Sequence, residues 1–312
     1  MSIVTTVIPV YNGERFLLDT LESLARQTRK PDRIVLLDDC SNDQTRSLAS
    51  NFQAAKVEVV KNERNLGLFG NHRRLLEFAK ETDYLHILHA DDLIYPKFFS
   101  ELLPYLESAP RGSFAYCEHE FIDEAGKFQS KAVYPLPEGS GPIQRHDFLV
   151  SQSELRAIQL HSAVLKTNHQ EALCQFGTDF AQVGDVAFHA RWAAQAPSIF
   201  RTNRVLSQVR LHSSNATRAN TQKIQSWVLD EWRAMTMVAS LIEEPAIARL
   251  LRRQRLKCLW AARSVVKFDL TFSQNAEFAA QIRNAVRDQI GPGYWELARA
   301  VVWLRNACVP PN

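Results

Sequence analysis

Two adjacent carboxylates, Asp91 and Asp92, stand at the end of the apolar run Tyr84 to Leu88. Side-by-side acids repel, so a chain that sets them at the mouth of a buried strand needs a compensating charge. A divalent cation with hard oxygen ligands supplies it, and that cation in turn favours phosphates. Two earlier apolar runs end in similar polar turns, at Tyr11-Asn12-Gly13 and at Asp38-Asp39-Cys40-Ser41-Asn42-Asp43. Each turn taken alone is ordinary loop chemistry, since Asp, Asn, Ser and Gly are the usual turn residues. Three strand ends of one kind point to one site. Within it, Asp39 can accept the ring N–H that uracil, thymine and guanine offer and cytosine does not. Tyr11 can stack on such a base or contact its ribose. Asp91 and Asp92 are the candidate ligands of a single Mg²⁺ or Mn²⁺ that would neutralise a diphosphate leaving group; the bland alternative is a pair capping the helix expected after Pro96.

The elements that must position these turns are readable from periodicity. Residues 3–10 are β-branched and apolar, as are Arg33 to Leu37, Lys56 to Val60 and Tyr84 to Leu88, and all four read as strands. Between them, Glu14 to Thr28, Gln44 to Phe52 and Gly70 to Lys80 carry helical spacing, with Asp43 placed to cap the second. Strands apolar on both faces and alternating with helices imply an α/β fold with a mostly parallel central sheet between helical layers. In such a sheet ligands bind beyond the carboxyl ends of the strands, where all three turns lie.

The second half is less regular. Ser113 to Ile122 reads as a strand, Glu124 to Lys127 as a hairpin-like turn and Pro135 to Pro142 as a loop. Val183 to Ala194 should be a helix and Val205 to Val209 a strand, and from about Thr221 the pattern is helical, broken near Glu244-Pro245 and Gly291-Pro292-Gly293. The expected division is a catalytic domain over 1–218 and a helical region over 219–312. With 312 residues, 46% of them hydrophobic, the chain can bury a full core, and a net charge of +3 is too mild to argue for nucleic acid. Five scattered cysteines argue against a zinc site or a disulfide framework and fit a reducing compartment. The first residues lack the basic leader and apolar stretch of a signal peptide, and no window approaches the ~20 apolar residues of a membrane span. A cytoplasmic chain, at most peripheral at the inner membrane face, is the expectation.

Val7-Ile8-Pro9-Val10-Tyr11-Asn12, Leu37-Asp38-Asp39-Cys40-Ser41-Asn42-Asp43-Gln44-Thr45, Asn65-Leu66-Gly67 and Ala90-Asp91-Asp92 resemble, in order and spacing, the family 2 glycosyltransferases. The resemblance implies a GT-A-type fold for nucleotide-diphosphate sugars, metal dependence and inversion at the anomeric carbon. It places Pro9, Tyr11 and Asp39 around the nucleoside, and Asp91 and Asp92 towards ribose, diphosphate and metal. Val183 to Trp192 resembles the acidic segment carrying the family's catalytic base, which makes Asp185 the base; Val209-Arg210-Leu211-His212 resembles the later Arg-x-His element, which makes His212 a contact of diphosphate or metal. Read without the resemblance, Asp185 is an acid favoured by a helix N-terminus. The chain departs from the family at two positions that commonly hold acids, His89 and Gly184, and a histidine is a softer ligand poorly suited to Mg²⁺.

These readings converge on an inverting, metal-dependent transfer of a sugar from a UDP-, dTDP- or GDP-linked donor to a hydroxyl of a saccharide or lipid-linked acceptor. A sugar nucleotidyltransferase and a non-catalytic nucleotide-sugar binder are the alternatives, the first lacking its Gly-rich phosphate loop after residue 10. Residues 246–268 hold seven basic side chains, no acid and interleaved leucines. That pattern suits either an anionic lipid surface or a helix packed on the catalytic domain.

Overall fold

A computed structural model of the chain describes residues 2–132, 139–168, 176, 180–212, 221 and 223–308. Its first half is built by strands β1 (Val4–Val10), β2 (Arg33–Asp38), β3 (Glu58–Lys61) and β4 (Tyr84–Ile87), with helices α1 (Leu17–Ala25), α2 (Thr45–Ser50) and α3 (Gly67–Leu75) between them. β2 and β4 flank β1 in parallel, and β3 pairs in parallel with β2. Every residue of β1 is buried, as a strand covered by helices on both faces must be.

Beyond β4 the sheet becomes mixed. The short β5 (Leu93–Ile94) and helix α4 (Phe98–Glu107) lead to β6 (Phe114–Ile122), which forms a hairpin with β7 (Phe128–Lys131) around the expected turn. β8 (Gly141–Ile143) occupies part of the segment expected as loop and runs antiparallel to β10, while helix α5 (Arg145–Ser153) follows it. β9 (Ala163–Lys166) lies antiparallel between β4 and β6, and β10 (Ile199–Arg210), after helix α6 (Gly184–Gln195), runs parallel to β6. The order through the sheet is β3-β2-β1-β4-β9-β6-β10-β5. The parallel sheet expected from the sequence is thus its N-terminal half. The switch at β9 lets β10 bring its far end back over the Asp91-Asp92 turn, because β5, which follows that turn, pairs with Ser207 and Gln208 of β10.

One apolar layer packs α1, α4 and Leu36 against one face of the sheet, and a second packs α3, α5 and α6 against the other. A third core holds the C-terminal helices α7 (Asp230–Ser240), α8 (Ala246–Phe272), α9 (Ala276–Ile290) and α10 (Pro292–Cys308) around Trp260 and Trp295. The basic character of α8 is largely met by acids from elsewhere. Arg252 pairs with Glu244, Arg255 with Glu154 beyond α5, and Arg263 and Lys267 both with Glu231 of α7. The domain boundary expected near residue 218 lies outside the described residues.

Candidate active site

The first two turns are laced together. Asn12 adopts φ 53°, its N–H donates to Ser41 Oγ at 2.9 Å, and its Oδ1 accepts the Asn42 N–H at 2.9 Å. The Gly13 N–H donates to Thr45 Oγ1 and the Glu14 N–H to Asp43 Oδ2, while Glu14 Oε2 accepts the Gln44 N–H. A Cβ on Gly13 would lie 2.5 Å from Val10 Cγ2 and 3.3 Å from Ala90 Cβ, so glycine is what lets this turn sit against the third. Pro9 is buried in β1, and Tyr11, 51% exposed, projects from its end. Asp39 is buried; its Oδ1 accepts both Asn62 Nδ2 at 2.6 Å and the Leu66 N–H at 2.8 Å. That double contact ties the segment Asn65-Leu66-Gly67 to the end of β2 and fixes the carboxylate plane.

The adjacent acids of the third turn point apart. Asp91 Oδ2 lies 2.8 Å from His212 Nε2, beyond the end of β10. Asp92 turns inward and is nearly inaccessible. Its Oδ1 accepts the Arg210 N–H at 2.9 Å, and its Oδ2 lies 3.2 Å from His89 Nδ1 and 3.0 Å from His161 Nδ1. Arg210, itself buried, donates from Nε to the Asp91 carbonyl and from its terminal nitrogens to Glu124 O and Asp19 Oδ2. Its guanidinium and the His212 ring both lie against Phe16. The Arg-x-His segment therefore grips the turn from above, with Arg210 holding the backbone and His212 reaching Asp91.

Histidines line the inner side of the turn. His72 Nδ1 donates to Leu68 O at 2.7 Å, which leaves its Nε2 as an acceptor, 3.2 Å from His89 Nε2. His89 is then placed to donate from Nε2 to His72 and from Nδ1 to Asp92, the pattern that favours its protonated form. Burial opposes that charge, but the hydrogen bond and charge of Asp92, with Asp91 and Asp185, raise the ring above its ordinary value. Burial pushes His72, His86, His119 and His189 down to about 3, so these four are neutral. Asp92 would be raised by its burial; His161 and His89 instead hold it well below the usual carboxylate range.

Asp185 lies in the first turn of α6, after Val183 in the left-handed region and Gly184. Burial raises its carboxyl above the ordinary value, a shift that the Val186 N–H and the nearby His89 oppose without cancelling. Asp185 thus lies near His89, two residues before the Asp91 that His212 meets, and Asp39, Tyr11 and Pro9 sit at the ends of the neighbouring strands. Gly184 has a steric cause: a Cβ there would lie 2.2 Å from Phe69 Cε1, because the Phe69 ring fills the space a side chain would need. Sequence reasoning passed over Phe69, His72 and His161. Their signal was polar or aromatic residues at core-facing positions, His72 four residues before Leu76 and His161 two before β9.

Residues 5–153 match the family model described as glycosyl transferase family 2. An uncharacterised glycosyltransferase of Methanocaldococcus jannaschii is 30% identical over 128 residues, 40% of this chain and 44% of that protein. The chain spans about half the length of the curated relatives it matches. Among solved structures, residues 1–349 of Staphylococcus aureus TarS in complex with UDP-GlcNAc superpose with a TM-score of 0.62 at 15% identity, over 96% of this chain and 79% of that one. The mannosyltransferase PcManGT from Pyrobaculum calidifontis, in complex with GDP-Man and Mn²⁺, gives 0.57 at 14% identity, over 98% and 87%. The architecture is that of the GT-A-type transferases.

Proposed function

We propose, from the match of residues 5–153 to glycosyl transferase family 2, that the chain transfers a sugar from a nucleoside-diphosphate donor to an acceptor hydroxyl with inversion. The observation that carries the reading is the placement of Asp185. A partly covered carboxyl, raised by burial, stands beside the turn that presents Asp91 and His212. A base works best when its affinity for a proton approaches the working pH, and burial moves Asp185 in that direction.

Asp39 accepts both of its protein hydrogen bonds on Oδ1, which leaves Oδ2 for the ring N–H of uracil, thymine or guanine. Tyr11, exposed beside it, covers the base, and Pro9 closes the floor. The donors named in the complexes of TarS and PcManGT, UDP-GlcNAc and GDP-Man, carry bases of this class. Asp91 Oδ2 and His212 Nε2 would hold the donor's cation. One hard oxygen and one imidazole 2.8 Å apart suit Mn²⁺ better than Mg²⁺. When bound, that cation neutralises the departing diphosphate. Asp92, with both oxygens engaged inward, supports the turn from behind. In the transfer, Asp185 takes the acceptor's hydroxyl proton while the oxygen attacks the anomeric carbon and the bond to the diphosphate breaks on the opposite face.

The acceptor is a saccharide or a lipid-linked saccharide. Peripheral contact at an anionic membrane, from the cytoplasmic side expected for this chain, is the reading that Ile247, Leu250 and Leu251, exposed on α8 beside Arg249 and Arg253, support. No helix among the described residues is long and apolar enough to cross a membrane. Donor turnover with and without Mn²⁺ tests the reading: release of sugar from at least one UDP-, dTDP- or GDP-linked donor, lost in Asp185→Asn, is expected. An Asp185→Asn variant that turns over donor at the parental rate would remove the base from this account.

A further inference from the structure

The donor-facing pair Asp91 and His212 leaves a second set of ligating side chains unused behind the same turn. His89 Nδ1 and His161 Nδ1 approach one atom, Asp92 Oδ2, at 3.2 and 3.0 Å, and the three donor atoms lie within 4.8 Å of one another. Ligands about 2.1 Å from a cation and at right angles to each other are about 3 Å apart, so the two contacts have the spacing of neighbouring positions around an octahedral ion.

His161 is placed to ligate. Its side chain is fully buried, Nδ1 faces Asp92 Oδ2 at 3.0 Å, and Nε2 has no hydrogen-bond partner. A buried imidazole so placed has a nitrogen ready to act as a ligand. The outer partners are also those of a ligating histidine. His72 Nε2 accepts from His89 Nε2, and His72 Nδ1 is anchored on Leu68 O. This chain fixes the His89 tautomer with Nδ1 directed at the site. A cation would take the place of the proton that otherwise sits between His89 Nδ1 and Asp92, with no change in the rest of the chain. His161 is held by its own carbonyl, which accepts from His86 Nε2 at 3.0 Å.

We propose that His89, Asp92 and His161 form an internal site for a divalent transition ion such as Zn²⁺, Co²⁺ or Fe²⁺, separate from the donor's cation at Asp91 and His212. Two imidazoles and one carboxylate select such ions over Mg²⁺ and Ca²⁺, which favour all-oxygen shells. The ion would tie together the turn after β4, the segment entering β9 and, through the Arg210 N–H on Asp92 Oδ1, the end of β10. Its role is to hold the donor turn from behind. It therefore binds without nucleotide, whereas a donor cation gains most of its ligands from the diphosphate.

Visible absorption of Co²⁺ added to tag-free, chelator-stripped protein in the absence of nucleotide tests this. One equivalent should bind, be displaced by Zn²⁺ and be indifferent to excess Mg²⁺. His89→Ala and His161→Ala should lose it, His72→Ala should weaken it about 10- to 100-fold, and His212→Ala should keep it. His89 is partly exposed, so its variant remains informative if His161→Ala does not fold. Absence of nucleotide-free Co²⁺ uptake, uptake unchanged in His89→Ala, or uptake lost in His212→Ala instead would overturn the proposal. None of these readouts depends on whether the protein transfers sugar.

Discussion

At the scale of single residues, Asp185 and Asp92 are opposite solutions to burying a carboxylate. Asp185 has its proton affinity raised by burial, so the folded chain holds that proton more tightly than the unfolded chain. Stability then falls as pH rises from the ordinary carboxylate range through the raised value. Asp185→Asn should therefore raise Tm at pH 7, keep donor affinity, and lower transfer by about 10²- to 10⁴-fold, the usual contribution of a general base. Calorimetry, a thermal melt and a transfer assay read the three separately, and a lower Tm would show that the carboxylate is structural. The acid limb of the rate profile should also lie above the ordinary aspartate value. Asp92 is depressed by His161 and His89. Its contribution is present above the ordinary carboxylate range and is lost only in strong acid, below that range.

At the scale of elements, the site depends on close approaches that leave no room for side chains. Gly184→Ala would drive a methyl into the Phe69 ring and should cost about 1–3 kcal/mol, and pairing it with Phe69→Leu should recover part of that loss in a double-mutant cycle. Strict additivity of the two in denaturant melts would mean that the ring moves aside freely. The same elements show what a linear reading can reach. Val4–Val10, Arg33–Asp38 and Tyr84–Ile87 are continuous apolar runs closed by Asx-rich turns, so their identity and their shared edge were visible in the sequence. β9 was not, because Ala163–Lys166 is short and becomes a strand only by inserting antiparallel between β4 and β6. Missing β9 meant missing His161, and with it the reason Asp92 faces inward. Gly184 was legible as a departure from the family, but its cause sits more than a hundred residues away in Phe69.

At the scale of the whole molecule, the C-terminal helices are fastened by buried acids rather than displayed as a basic arm. Glu231 meets Arg263 and Lys267 at 2.8 Å each, and Lys267 is itself buried. Glu231→Ala strands that ammonium and should cost about 3–5 kcal/mol, read as a lower urea midpoint; a midpoint within error of the parent would place the pair in solvent. Outside those ion pairs, Arg249 and Arg253 lie exposed beside Ile247, Leu250 and Leu251. Co-sedimentation with vesicles containing phosphatidylglycerol should therefore fall when Arg249 and Arg253 are replaced by Gln, and equal sedimentation of both proteins would remove the membrane contact. The central claim, that the strand-end turns form a nucleoside-diphosphate pocket with a cation at Asp91 and His212, is tested most directly by titrating UDP, dTDP and GDP into the protein with and without Mn²⁺. At least one of them should bind, more tightly with Mn²⁺, and His212→Ala should lose the Mn²⁺ enhancement. No binding by any of the three, or an enhancement unchanged in His212→Ala, would contradict it.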